Sequence, residues 1–370
     1  MVNWSRPPAR LGFVSAIPDI NQVPGVKLKL PPHPVMRRCS VIFCLSGIII
    51  LFACSRTRQA SEVAYVSAPQ AFLRDQVSTV FNKTGTVKNG EQLEVLGRDR
   101  RFVRVRTSTG VEGWVEQRYL VTKKTYDAFQ KLAAQEQPDP VQATGVTRNS
   151  TNIHLDPDRG AEHLYQLEQG AKLSILKRAT SEKVLPGTAR QAQPKTGTQA
   201  PTPMEDWWLV RDAQGHTGWV LVRLIDIDVP LEIAQYAEGQ RIVACFPLNE
   251  VTDQDKKVAE YLAVLTENKD GMPFDFNAIR VFTWNVRRHR YETAYRERNL
   301  NGVLPVSVGR QSFDKEGELP VFILRVKDDA GNISERKYKL NSPIVKRVLA
   351  PGESAPAPRS AAKSSRRKKR

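Results

Sequence analysis

A chain of 370 residues with 40% hydrophobic content has room for about two to four domains and is too apolar for wholesale disorder. Its formal net charge of +17 is concentrated at the ends: residues 1–53 hold six Lys/Arg against one Asp, and 359–370 hold seven basic groups and no acid. Removing that excess of five and then of seven leaves +5 for the body, so a basic nucleic-acid groove is not expected.

In chain order, residues 1–35 carry seven prolines and no periodicity, and read as a disordered stretch ahead of a true start at Met36. Arg37 and Arg38 then precede an apolar run from Val41 to Phe52, too short for a comfortable membrane span and suited to a signal peptide over 36–53. Leu51-Phe52-Ala53-Cys54 resembles a bacterial lipobox, which implies lipidation at Cys54; an uncleaved single-pass anchor is the alternative. Cleavage would remove Cys39 and Cys44, leaving Cys245 without an internal disulfide partner. Cys245 lies in the apolar run Ile242–Phe246 and reads as a small core residue.

Beyond a short tether, one cluster occurs twice. Val105, Gly110, Gly113, Trp114, Val115 and Arg118 repeat as Val210, Gly215, Gly218, Trp219, Val220 and Arg223. Upstream, Gly90, Leu93, Val95 and Leu96 match Gly170, Leu173, Ile175 and Leu176. The glycines suit tight turns and the alternating apolar residues suit half-buried strands, so two related β-units are expected over 62–122 and 141–228. Between them, 123–140 reads as a helical linker, with Tyr126, Phe129, Leu132 and Ala133 on one face, a cap at Thr125 and a stop at Pro138-Asp139-Pro140. The second unit carries an insert over 179–205, rich in Pro, Thr, Gln, Gly and Ala, which is expected to be disordered.

Residues 229–349 contain no copy of the repeat. Ile279–Trp284, a polar turn at Arg287–Arg290, and Tyr291, Thr293 and Tyr295 form a hairpin pattern. A second hairpin spans Val321–Val326 and Ile333–Leu340 about the Asp328–Asn332 turn. Val258, Tyr261, Leu262 and Leu265 are ambiguous between helix and strand, and strand is preferred. The expected class is mainly β: two small barrels and a β-rich region, with α+β as the alternative for the latter, and disordered ends. The segment 350–370 is a basic tail.

Asp206–Arg211 followed by Gly215, Gly218, Trp219 and Val220, with Asn152–Pro157 upstream, resembles the bacterial SH3-like (SH3b) family; Gly113–Leu120 resembles its closing segment. The resemblance covers about a third of the chain. It implies small bent barrels that bind peptides or cell-wall components. Period-two alternation puts Trp208 and Val210, like Val103 and Val105, toward the barrel interior. Phe102 and Trp207 fall at equivalent positions on the opposite face and become candidates for an exposed ligand platform, the alternative being that they cap the barrel. Tyr119 stands where SH3-like folds present a groove tyrosine, replaced by Leu224 in the second copy. Trp114 and Trp219 read first as barrel plugs and second as ligand contacts.

Neighbours of such domains include NlpC/P60-type peptidases, so catalysis has to be weighed. Cys245 is the one candidate cysteine nucleophile, in apolar surroundings that raise a thiol's pKa, and no HExxH, G-x-S-x-G, phosphate-binding loop or CxxC occurs. The sequence therefore reads as a non-enzymatic envelope lipoprotein, on the outer membrane or the extracytoplasmic face of the inner one, without metal or cofactor. Peptidoglycan or envelope-protein peptides are the expected ligands, the membrane is reached through the lipid, and the basic tail meets anionic envelope polymers. The alternatives are a wall hydrolase with its site in 229–349 and a scaffold without wall affinity.

Overall fold

The computed structural model describes residues 62–183 and 202–349. The signal segment, Cys54, the central part of the insert and the basic tail lie outside the described residues. Three antiparallel seven-stranded sheets follow one another.

The first sheet comprises β1 (Val63–Val66), β2 (Gln70–Arg74), β3 (Lys83–Lys88), β4 (Gln92–Asp99), β5 (Phe102–Arg106), β6 (Glu112–Glu116) and β7 (Leu120–Thr122), with a 3-10 turn at Gln117–Tyr119. Its order is β3-β2-β6-β5-β4-β1-β7. Val66, Leu73, Val87, Leu93, Val103, Val105 and Val115 form one buried cluster drawn from six strands, so the sheet closes around its own core as a barrel.

The second sheet comprises β8 (Ala143–Thr147), β9 (Thr151–His154), β10 (His163–Leu167), β11 (Lys172–Glu182), β12 (Met204–Asp212), β13 (Thr217–Leu221) and β14 (Ile225–Ile227), with a 3-10 turn at Val222–Leu224. Its order, β10-β9-β13-β12-β11-β8-β14, repeats the first barrel strand for strand. The repeated glycines divide into two kinds. Gly110 and Gly215, at φ of +86° and +88°, make the turns before β6 and β13. Gly113 and Gly218, expected in turns, instead lie within strands where another strand crosses closely. A Cβ on Gly113 would fall 2.7 Å from Leu73, and one on Gly218 2.6 Å from the His154 carbonyl. The expected insert is shorter than the composition suggests: β11 and β12 pair as far as Glu182 and Met204, leaving 184–201 outside the described residues.

Between the barrels runs α1 (Lys123–Glu136). Thr122, not Thr125, caps it, its side chain accepting from the Thr125 amide. Phe129 is buried and meets the Tyr165 ring edge-on at 5.6 Å, while Tyr126 stacks on Tyr65 at 3.9 Å. One helix face thus binds both barrels.

After a four-residue helix, α2 (Leu231–Ala234), the third sheet runs as a meander: β15 (Arg241–Asp253), β16 (Lys256–Thr266), β17 (Phe276–Asn285), β18 (Arg290–Phe313), β19 (Gly317–Lys327), β20 (Ile333–Asn341) and β21 (Ile344–Val348). Both expected hairpins are present, and the ambiguous 258–265 run is strand, so the region is all β apart from the short turns of helix that lead into it. The 24-residue β18 pairs with β17 in its first half and β19 in its second, and its register shifts between Val303 and Ser307, around Pro305. Proline lacks the N–H that a ladder needs, so the break falls there.

The second barrel and the third sheet share one buried apolar cluster, from Ile153 and Trp208 through Val264 and Phe276 to Leu340. A polar joint accompanies it. The buried Asp206 carboxylate accepts from Arg178 Nη2 (2.8 Å), Thr180 Oγ1 (3.0 Å) and the Gly271 amide (3.0 Å). Arg178 Nη1 donates onward to the Phe274 carbonyl at 2.9 Å. Gln142, also buried, accepts from the Val306 amide at 2.7 Å.

Candidate binding site

Phe102 and Trp207 occupy equivalent strand positions, but both are buried, at 4% and 1% exposure, which corrects their assignment to an exposed platform. The reason is the same in each copy: the end of the second strand and the loop after it cover that face. In the first barrel Phe81 and Arg74 lie over it, with the Arg74 guanidinium 4.1 Å from the Phe81 ring and 5.1 Å from the Phe102 ring. In the second, Arg159 from the β9–β10 loop pairs with the buried Glu205, and His154 meets Trp207 edge-on at 5.4 Å. Burial raises the Glu205 pKa, but the hydrogen bond and charge of Arg159, with Arg223 and Lys183, outweigh it and leave the carboxyl low. Trp207 Nε1 donates to Ser181 Oγ at 2.9 Å.

Trp114 and Trp219 are not barrel plugs. Gly113 and Val115, like Gly218 and Val220, turn inward, so the intervening indoles lie half-buried on the outer faces of β6 and β13. Tyr119 is also half-buried, at the end of the 3-10 turn. Its hydroxyl accepts from Arg118 Nη2 at 2.8 Å, and the same guanidinium lies 4.8 Å from its ring centroid. Glu116 holds Arg118 from the other side, Oε2 to Nε at 2.8 Å.

Tyr119 lines a cleft of about 360 Å³ where the barrels meet. Ser67, Ala68 and Pro69 from the first barrel form one side; Asn152, His163 and Gln166 from the second form the other. The other four aromatic candidates do not line it. Its walls offer an aromatic ring, a guanidinium, two amides and an imidazole, a set suited to an extended peptide or a sugar.

A second cleft, of about 430 Å³, occupies the equivalent place on the second barrel. The correspondence rests on hydrogen bonds. The Ser67 amide donates to the Tyr119 carbonyl and the Gly90 amide to the Val66 carbonyl, both at 2.8 Å. Arg148 and Leu224 (2.9 Å), and Gly170 and Thr147 (2.8 Å), repeat the pattern. Ser67 and Arg118 of the first cleft therefore match Arg148 and Arg223 of the second, which is closed by Arg241 and Ile242 of β15 and by Asn268 in the loop after β16. The sequence reading missed this cleft, because its far wall comes from a region without repeat signals. Trp208 was read only as core, yet it forms part of the wall.

Cys245 in β15 packs beside Ala263 and Tyr261, and burial pushes its thiol up to about 12. Such a group is protonated at neutral pH and is a poor nucleophile. No group of three or more His, Cys, Asp or Glu side chains placed to hold a metal occurs among the described residues. The Tyr295–Arg298 stretch makes internal bonds: Glu297 accepts from Tyr295 and Tyr338, and Arg296 bonds Glu238.

The model for the family described as "Bacterial SH3 domain" matches residues 69–121. Those residues are similar to a bacterial SH3 domain. The matched stretch takes in the first barrel from β2 into β7 and omits β1, and Tyr119 falls inside it. Solved structures similar to the chain include an NlpC/P60 family protein from Bacillus cereus ATCC 10987 at 11% identity and TM-score 0.22, covering 49% of this chain and 64% of that one. Two from Trichomonas vaginalis are NlpC2 (11% identity, TM-score 0.16, 49% of this chain and 56% of that one) and NlpC1 (8%, 0.16, 65% and 89%). The chain thus spans little more than half the length of NlpC2, and TM-scores of this size carry no weight for its function. No curated protein matches the chain.

Proposed function

We propose that this chain is a non-catalytic binding protein of the bacterial cell envelope, lipidated at Cys54, whose paired barrels hold peptidoglycan or an envelope-protein peptide. The observation that carries this reading is the SH3 domain at 69–121 with Tyr119 at the mouth of the inter-barrel cleft. The strand order repeated in the second barrel supports treating both as one module type. Two modules fixed on one anchored chain gain from high effective concentration, so weak contacts at each suffice. The protonated Cys245 thiol speaks against a cysteine-peptidase alternative. The basic tail adds attraction to anionic envelope polymers.

Co-sedimentation with purified wall sacculi tests the proposal. The wild type is expected in the pellet, and Tyr119→Ala, a change at a half-buried side chain, is expected to be retained about 10-fold less, in line with an aromatic contact at a binding hot spot. Phe102→Ala and Trp207→Ala are unsuitable probes, since each empties a buried site. A wild type that stays in the supernatant overturns wall binding. Release of soluble wall fragments overturns the non-catalytic assignment.

A further inference from the structure

A third cleft, of about 440 Å³, opens where α1 lies between the two barrels. The β3–β4 turn of the first barrel supplies Asn89, and α1 supplies Tyr126 and Gln130. Tyr165 of β10 and, from the β12–β13 connection, Gln214 and His216 complete it. Asn89 ties the barrels together here: its Nδ2 donates to the Val66 carbonyl of its own barrel at 3.2 Å and to the Leu164 carbonyl of the other at 2.7 Å.

Charged residues make up 26% of the chain, and both clefts described above carry arginine, yet no Lys, Arg, Asp or Glu lines this one. Asp212, behind His216, has both oxygens engaged. Oδ1 accepts from the Gln214 and His216 amides at 2.9 Å, and Oδ2 from His216 Nδ1 at 2.8 Å. That bond keeps the proton of the neutral imidazole on Nδ1 and leaves Nε2 as an acceptor. An ionised ligand would therefore leave water without a counter-charge to meet it, which weakens its binding.

What the cleft offers instead is flat rings and side-chain amides. Tyr126 stacks on Tyr65 at 3.9 Å and His216 on Tyr165 at 3.7 Å. Tyr126 and His216 are half-buried, while Gln130 and Gln214 are exposed. Gln130 gives one N–H to the Tyr165 hydroxyl at 3.1 Å and keeps its carbonyl and second N–H. Amides present donors and acceptors together, as sugar hydroxyls require, and ring faces suit the C–H face of a pyranose. We propose that this cleft binds an uncharged mono- or disaccharide, its ring against Tyr126 and His216 and its polar groups on Gln130 and Gln214. The volume lies within the range usual for small-molecule sites. An extended peptide is the poorer fit, because the adjoining edge strand, β10, already has its Leu164 carbonyl bonded by Asn89. The inference does not rest on wall binding through Tyr119.

The test is a titration of the full chain with N,N′-diacetylchitobiose, followed by ligand-observed NMR. The comparators are the de-N-acetylated, cationic disaccharide and N-acetyl-glycyl-glycinamide. The neutral disaccharide is expected to bind with a Kd of about 1 mM, and each comparator about 10-fold more weakly. Gln130→Ala combined with Gln214→Ala, both at exposed side chains, should weaken the disaccharide about 10-fold, whereas Tyr119→Ala should leave it unchanged. No saturable response at about 10 mM disaccharide, an affinity unaltered by the double substitution, a loss on Tyr119→Ala, or a comparator bound as tightly overturns the proposal.

Discussion

His154 lies against the Trp207 ring, with His163 5.8 Å away and the Ala161 carbonyl 3.3 Å from its Nδ1. Burial lowers its pKa below the ordinary 6.5; the Ala161 carbonyl opposes that, and the His163 charge adds to it. The folded pKa is therefore below the unfolded one, so the unfolded chain binds the proton more readily. The associated stability is present above about pH 6.5 and is lost as pH falls from there through the folded pKa. The thermal midpoint of the wild type should accordingly drop more steeply between about pH 7 and 5 than that of His154→Gln. Parallel midpoint curves for the two proteins would assign the acid sensitivity elsewhere. The same imidazole helps cover Trp207, so mild acid is expected to loosen the face that the sequence pattern left exposed.

At the scale of elements, α1 is the piece through which the barrels are coupled. Phe129 contacts the Tyr165 ring and lies 3.3 Å from where a Gly218 Cβ would stand, between the helix and β13. Phe129→Ala is expected to cost about 3–5 kcal/mol, whereas loss of the Thr122 cap costs about 1 kcal/mol. Urea unfolding followed by tryptophan emission separates them, since Trp207, Trp208 and Trp219 all belong to the second barrel. If Phe129→Ala shifts the curve no more than Thr122→Ala, the helix does not brace that barrel. The elements themselves were largely legible: paired glycines marked both barrels, and alternation marked the hairpins of the third sheet. What alternation could not register was a strand covered on both sides. Trp207 and Trp208 are adjacent and both buried, because the core takes one face and the β9–β10 loop the other. Tyr119 emerged from the sequence through the resemblance of Gly113–Leu120 to the closing segment of SH3-like folds. Arg241 and Ile242 did not, because only tertiary packing brings the third sheet against β14 and the 3-10 turn.

For the molecule as a whole, the decisive contact is the joint between the second barrel and the third sheet. The first barrel keeps a core of its own, whereas the second shares its apolar cluster with β15 to β20. Asp206 and Arg178 sit inside that shared region at 2% and 6% side-chain exposure. A buried carboxylate that accepts three bonds within 3.0 Å stabilises only as a set, and removing its charge leaves the buried guanidinium with the longer Asp275 pair at 3.3 Å alone. Asp206→Asn is therefore expected to destabilise the protein by about 3–5 kcal/mol. The loss should spread cooperatively, because opening the joint exposes apolar surface on both partners. Amide hydrogen exchange is expected to accelerate through 143–182 and 204–348 together and to leave 63–122 nearly unchanged. Faster exchange confined to β12 would mean that the barrel and the sheet unfold independently. In that case the second cleft, built from both, would lack fixed walls.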